Sequence, residues 1–144
     1  MPEVLDRDWT PDFPLDLSGV LAPLRRGRGD PTFQRAGEGI WRVGTTPDGP
    51  ATTVVRRLAD GTVRMLAWGA GAAWSLDGLP ALLGVDDRPS EFVPHHPLVA
   101  DAHRRRPGLR FGSSRRVWDQ LLPAILEQKV TGTEARRSWR ELCR

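Results

Sequence analysis

Three glycine-centred turn signals in the first half of the chain narrow its fold most: Ala36-Gly37-Glu38-Gly39, Thr46-Pro47-Asp48-Gly49 and Ala59-Asp60-Gly61-Thr62. Asp-Gly supplies the positive φ angles that tight hairpins need, so the segments on either side should pair as antiparallel neighbours. Those segments, 31–36, 39–45, 51–58 and 62–69, have strand character. The last alternates, with Val63, Met65 and Ala67 on one face and Arg64, Leu66 and Trp68 on the other. Thr52, Thr53, Val54 and Val55 give the run before it β-branched character. The expectation is a four-stranded antiparallel meander.

Helical patterns flank it. Leu17, Val20, Leu21 and Leu24 recur at helical spacing before Gly27, and Trp74, Leu79, Leu82 and Leu83 do so before Gly84. Helices sharing one face of a meander make an α+β layer, so residues 1–84 read as an α+β domain. Residues 85–97, rich in Pro and Asp, read as a linker. From 98 to 144 the pattern is helical: a short helix closed by Pro107-Gly108, then a helix with Trp118, Leu121, Leu122, Ile125 and Leu126 as its buried face. Pro123 should kink that helix or delay its start. Gly132 marks a turn, and Thr131 or Thr133 caps a last helix whose stripe is Ala135, Trp139 and Leu142.

With 144 residues, 39% of them apolar, and six Trp, the chain can bury a core and is not disordered. It has no apolar run of about 18 residues, the length a membrane span takes. Its acidic N-terminus lacks the basic-then-apolar order of a signal peptide. The single cysteine, Cys143, excludes an internal disulfide framework and fits a reducing, cytoplasmic setting. Charge is unevenly spread. Residues 101–116 carry six Arg against Asp101 alone, whereas residues 1–100 carry ten Arg against thirteen acids. A local basic stripe suits a polyanion partner, because each neutralised phosphate releases counterions.

No phosphate-binding glycine loop, zinc-protease or nucleophile-elbow signature is present. His95, His96 and His103 with Asp101 are the only grouping with metal-ligand character, and adjacent histidines in a Pro-bounded linker should diverge. Neither a metal nor a cofactor is expected. The segment that stands out is Glu127-Gln128-Lys129-Val130-Thr131-Gly132, where an apolar helix turns abruptly polar. Gln128, Lys129 and Thr131 at a helix edge can probe a DNA groove, and backbone amides at the next helix start can hold phosphate. A solvated helix end would carry the same residue types.

Residues 106–135 contain Pro107-Gly108-Leu109-Arg110 and, further on, Ala124-Ile125-Leu126-Glu127-Gln128-Lys129-Val130-Thr131. This pairing resembles the DNA-3-methyladenine glycosylase II family of helix-hairpin-helix glycosylases. The resemblance implies a TATA-binding-protein-like N-terminal domain followed by the first helices of an all-α glycosylase domain. It implies damaged double-stranded DNA as partner, with an alkylated base flipped from the stack. It makes Lys129, the residue after the motif Gln, the wedge that fills the gap. Gln128, Thr131, Arg110, Arg115 and Arg116 are the further DNA-binding residues expected. Glu127 departs from the family's usual Gly, and Lys129 from its frequent Leu or Gln. The family's glycine-rich hairpin and catalytic Asp lie beyond Arg144, so this chain alone is expected to bind DNA without excising a base. Two alternatives belong to other classes: a DNA-binding regulator with a helix-turn-helix over 117–143 reading bases through Arg136, Arg137 and Arg140, and a standalone α+β interaction module.

Overall fold

The computed structural model describes residues 3–144. They form an α+β fold around one antiparallel sheet. Strands β2 (Phe33–Ala36), β3 (Gly39–Thr46), β4 (Gly49–Arg57) and β5 (Val63–Trp68) follow one another as the expected meander. The sheet nevertheless has five strands, not four. Residues Val4–Trp9, read in the sequence only as an acidic N-terminus, form β1 and pair with β5, giving the order β1-β5-β4-β3-β2. No local turn announces this strand, since its partner lies some sixty residues away. Its alternation is masked because the inward phase carries Arg7 between Leu5 and Trp9. Arg7 lies opposite Met65 and donates to the Leu76 and Asp77 carbonyls, at 2.9 and 3.1 Å. The arginine thus ties the edge strand to the carbonyl end of a helix, where a cation is favoured.

The register puts Met65 opposite both Arg7 and Val55, and Val55 opposite Ile40, so these side chains share one face. Helices α1 (Leu17–Leu21), α2 (Ala72–Asp77) and α3 (Leu79–Leu82) cover that face. Leu21, Val55, Val63, Met65, Leu79 and Leu83 are essentially inaccessible. Each contributes about 1.5–3 kcal/mol by leaving water. The single helix expected before Gly84 is two, because Gly78 ends α2 and Pro80 begins the next turn. The other sheet face is open, and there Trp41 stacks on Trp68 with ring centroids 5.7 Å apart and planes 11° from parallel.

Beyond a single 3₁₀ turn at Pro89–Glu91, the chain forms α4 (Pro97–Arg105), α5 (Val117–Leu126) and α6 (Gly132–Leu142). Pro123 neither ends nor delays α5; the helix runs through it and buries its ring. The inward side of α5 is therefore Leu122, Pro123 and Leu126, while Trp118 (55% exposed), Leu121 (46%) and Ile125 (48%) face outward. Three of the five residues of the predicted apolar face are turned to solvent. The extended stretch between α4 and α5 packs on the α+β layer through backbone bonds, Asp16 N–H to Gly108 O at 2.7 Å and Ser113 N–H to Ala81 O at 2.8 Å.

Gly108 sits so close to that layer that an added Cβ would lie 2.6 Å from Asp16 N and 2.9 Å from Leu15 C. Backbone atoms cannot swing aside, so Gly108→Ala should destabilise the chain by about 1–3 kcal/mol in urea unfolding. Gly132→Ala, where a Cβ meets nothing within 4 Å, should be neutral or stabilising by about 0.4–1 kcal/mol. Equal effects at the two glycines would refute the tight docking of residue 108.

Candidate nucleic-acid interface

Polar residues interrupt α5 at Glu127, whose N–H bonds back to Pro123 O at 3.0 Å while Gln128 N–H reaches Ile125 O at 3.2 Å. Lys129 then takes the left-handed conformation, φ 54°, which reverses the chain. A residue with a Cβ holds that geometry at a cost of about 1–2 kcal/mol. Thr131, not Thr133, is the cap of α6. Its hydroxyl accepts from Glu134 N–H at 3.3 Å and donates to the Glu134 carboxylate at 2.7 Å, which also accepts from Thr131 N–H at 2.8 Å. This reciprocal capping box fixes the helix start. The Thr131 hydroxyl and amide together hold the Glu134 carboxyl below its ordinary range. Gln128, Lys129 and Thr131 thus stand together on one exposed turn.

The three arginines predicted alongside them are elsewhere. The Arg110 guanidinium lies 3.5 Å over the Phe13 ring and donates to Gly84 O and Asp87 O at 3.1 and 2.6 Å. Arg115, itself at φ 56°, pairs with Asp77 at 2.7 Å, donates to Trp74 O at 2.7 Å and covers the Trp74 ring at 4.2 Å. Arg116 bonds Thr45 Oγ at 3.3 Å and pairs loosely with Asp119 at 3.5 Å. Arg104 and Arg105 share Asp101, each at 2.9 Å. Much of the basic stripe is therefore compensated within the chain, and Arg110, Arg115 and Arg116 bind the helical segment to the α+β layer. Within α6, the Arg136 and Arg140 stems lie beside Gly27 and Gly29, and Arg137 pairs with Glu141 at 2.8 Å.

The grouping of His95, His96, His103 and Asp101 is dispersed. His96 Nδ1 accepts from Leu98 N–H at 3.2 Å as the cap of α4, and His103 meets the Phe92 ring edge-on. Among the described residues no three His, Cys, Asp or Glu side chains come together as metal ligands. Burial, and then the charge of Asp30, push the Cys143 thiol up, away from thiolate chemistry. Among the described residues no helix is long and apolar enough to cross a membrane.

Two residues that sequence reasoning passed over matter here. Asp30 is buried and accepts four hydrogen bonds: Arg26 N–H at 2.6 Å, Thr32 N–H at 2.9 Å, Thr32 hydroxyl at 2.7 Å and Trp139 Nε1–H at 3.0 Å. The last bond ties α6 to the loop after α1. An Asp-Pro-Thr turn signal was visible in the sequence, but its distant partner was not. Arg42 is the other: it shares the inward phase of β3 with Ile40, an unusual place for a cation.

No protein-family model matches the chain, and no curated protein matches it either.

Burial by itself would raise the Asp30 carboxyl; the bonds from Arg26, Trp139 and Thr32 outweigh it and hold the group below its ordinary 3.8. A depressed carboxyl contributes stability that is complete above the unfolded value and is lost as pH falls through the folded one. Asp30→Asn should therefore cost about 1–3 kcal/mol at pH 7, by turning an acceptor into a donor, and the deficit should shrink towards pH 2. Urea melts of both proteins across that range check this; a gap independent of pH would remove the role of the charge.

Proposed function

We propose that this chain corresponds to the N-terminal portion of a base-excision DNA glycosylase that acts on alkylated bases, and that it binds distorted duplex DNA. The observation that carries this reading is the turn 127–131. A long cationic side chain is presented at an exposed reversal, in a strained backbone conformation, between a helix end and a rigidly capped helix start. Strain held at an exposed position is a recognised sign of a functional constraint. The surrounding sequence, Ala124 to Thr131, is the one that resembles the helix end preceding the wedge in 3-methyladenine glycosylases. In this reading Lys129 enters the gap left by the flipped base and reaches the opposing base or a phosphate, with Gln128 beside it. The sheet layer, with helices on one face only, is taken as the TATA-binding-protein-like domain of that family, and the cytoplasm as the setting for its single thiol.

A helix-turn-helix regulator is less well supported. Arg136 and Arg140, which would have to read bases, lie along the Gly27–Gly29 loop instead.

Lys129→Ala should weaken binding to a duplex carrying an abasic site by about tenfold, the loss of roughly one charge-assisted contact, and should affect intact duplex little. Fluorescence anisotropy with both duplexes at fixed salt reads the difference, and equal losses on the two would sink the wedge role. Lys129→Gly should also relieve the left-handed strain and stabilise the fold by about 1 kcal/mol while still losing abasic-site affinity. A glycine variant that binds abasic duplex as tightly as the parent would show that the side chain is not used.

A further inference from the structure

We propose that the cleft between β3 and α5 is a binding site for a small amphipathic oxyanion, a carboxylate or phosphate monoester attached to a planar apolar body, with Arg42 as its anchor. The cleft uses none of the residues of the 127–131 turn, so the two readings stand or fall separately.

Arg42 points inward between Phe33 on β2 and Thr53 on β4, its partners across the sheet. Burial pulls its pKa below the usual value, against the fields of Asp119 and Asp30. Among the described residues its guanidinium makes no hydrogen bond or ion pair, although two acids favour its charge. Asp119 pairs with Arg116. Asp30 takes three hydrogen bonds on Oδ1 and one on Oδ2. Neither carboxylate bonds the Arg42 guanidinium, which lines the cleft. A half-buried cation without a protein partner is partly desolvated, and an incoming anion offsets that cost.

The cleft has two chambers that share Arg42, Thr45 and Asp119 as walls. One, of about 60 Å³, is rich in hydroxyls, from Thr53, Ser75, Ser113 and Ser114. The other, of about 230 Å³, has walls from Leu24, Trp118, Leu122 and Trp139. The first suits a compact oxyanion, which the Arg fork binds through paired hydrogen bonds while the Ser113 hydroxyl, which accepts from Arg115 N–H and keeps its own hydrogen, donates to it. Thr53, Ser75 and Ser114 already donate to carbonyls. The second suits a flat apolar group lying against indole rings. Arg116, 3.5 Å from Asp119, offsets part of the repulsion between that carboxylate and the head group.

The test uses phenyl phosphate and benzoate as probes, with inorganic phosphate as the head group alone, read by thermal unfolding and by tryptophan fluorescence. Either aromatic probe at about a hundredfold above its Kd should raise the Tm by roughly 5–10 °C, and Arg42→Met should abolish the shift. Inorganic phosphate should bind at least about tenfold more weakly than phenyl phosphate, for want of the buried ring. Should Arg42→Met not fold, Arg42→Lys serves: without the planar fork its affinity should fall about tenfold. The proposal is overturned if neither aromatic probe raises the Tm, or if the shift survives at position 42. Equal affinity for phosphate and phenyl phosphate overturns its amphipathic part.

Discussion

The placement of α5, the 127–131 turn and α6 depends on one stretch of extended backbone. Residues 108–116 lie against the α+β layer, with Gly108 O bonded to Asp16 N–H, Ser113 N–H bonded to Ala81 O, and Arg110 over Phe13. Gly108 permits the approach because a side chain there would meet the Leu15–Asp16 backbone. From this anchorage α5 starts at a fixed point beside β3, and Arg116 reaching Thr45 holds its first turn. Asp30 completes the attachment from the far end by taking the Trp139 indole. Two backbone bonds and one buried carboxylate thus fix a helical pair whose own apolar packing is limited, since Trp118, Leu121 and Ile125 face solvent.

What the sequence disclosed follows the range of its interactions. Asp-Gly turns are local, so the β2–β5 meander was legible, as was α6, though not which of Thr131 and Thr133 caps it. β1 was not, because its partner lies far along the chain and Arg7 occupies an inward position that an apolar residue would ordinarily mark. The outward face of α5 was misjudged for a related reason. Leu121, Leu122, Ile125 and Leu126 form a stripe too wide for one contact, and only tertiary packing selects Leu122, Pro123 and Leu126 from it. At the candidate site, Gln128, Lys129 and Thr131 could be grouped because they are neighbours in the chain, whereas the fates of Arg110, Arg115 and Arg116 depended on carbonyls and rings 23 to 97 residues distant.

Those arginines bear on how charge composition should be read. A planar guanidinium caps carbonyls, stacks on rings and pairs with carboxylates at once, which a lysine ammonium does poorly. Arg7, Arg110 and Arg115 do such work here, so a run of arginine is structural cement as much as a positive field. The one lysine in the chain is Lys129, a flexible, strongly hydrated charge on an exposed reversal, and among the described residues it has none of the internal bonds that occupy its arginine neighbours. This contrast within one chain gives the turn more weight as a contact point than the larger number of charges in residues 101–116.

Arg42 is the exception among the inward arginines, and the comparison with Arg110 shows why it matters. Both are half-buried beside aromatic residues. Arg110 is met by two carbonyls and a ring face, which places its charge in the fabric of the fold. Arg42 occupies the pleat that follows Ile40 on the core face, where a Leu or Met would extend the layer formed by Phe33, Ile40 and Val55. An arginine there instead ends the core and opens a cleft, while the nearest acids bond to other groups. A cation held in that position adds little to folding, because no described residue bonds to it; the proposed anion would supply the missing partner.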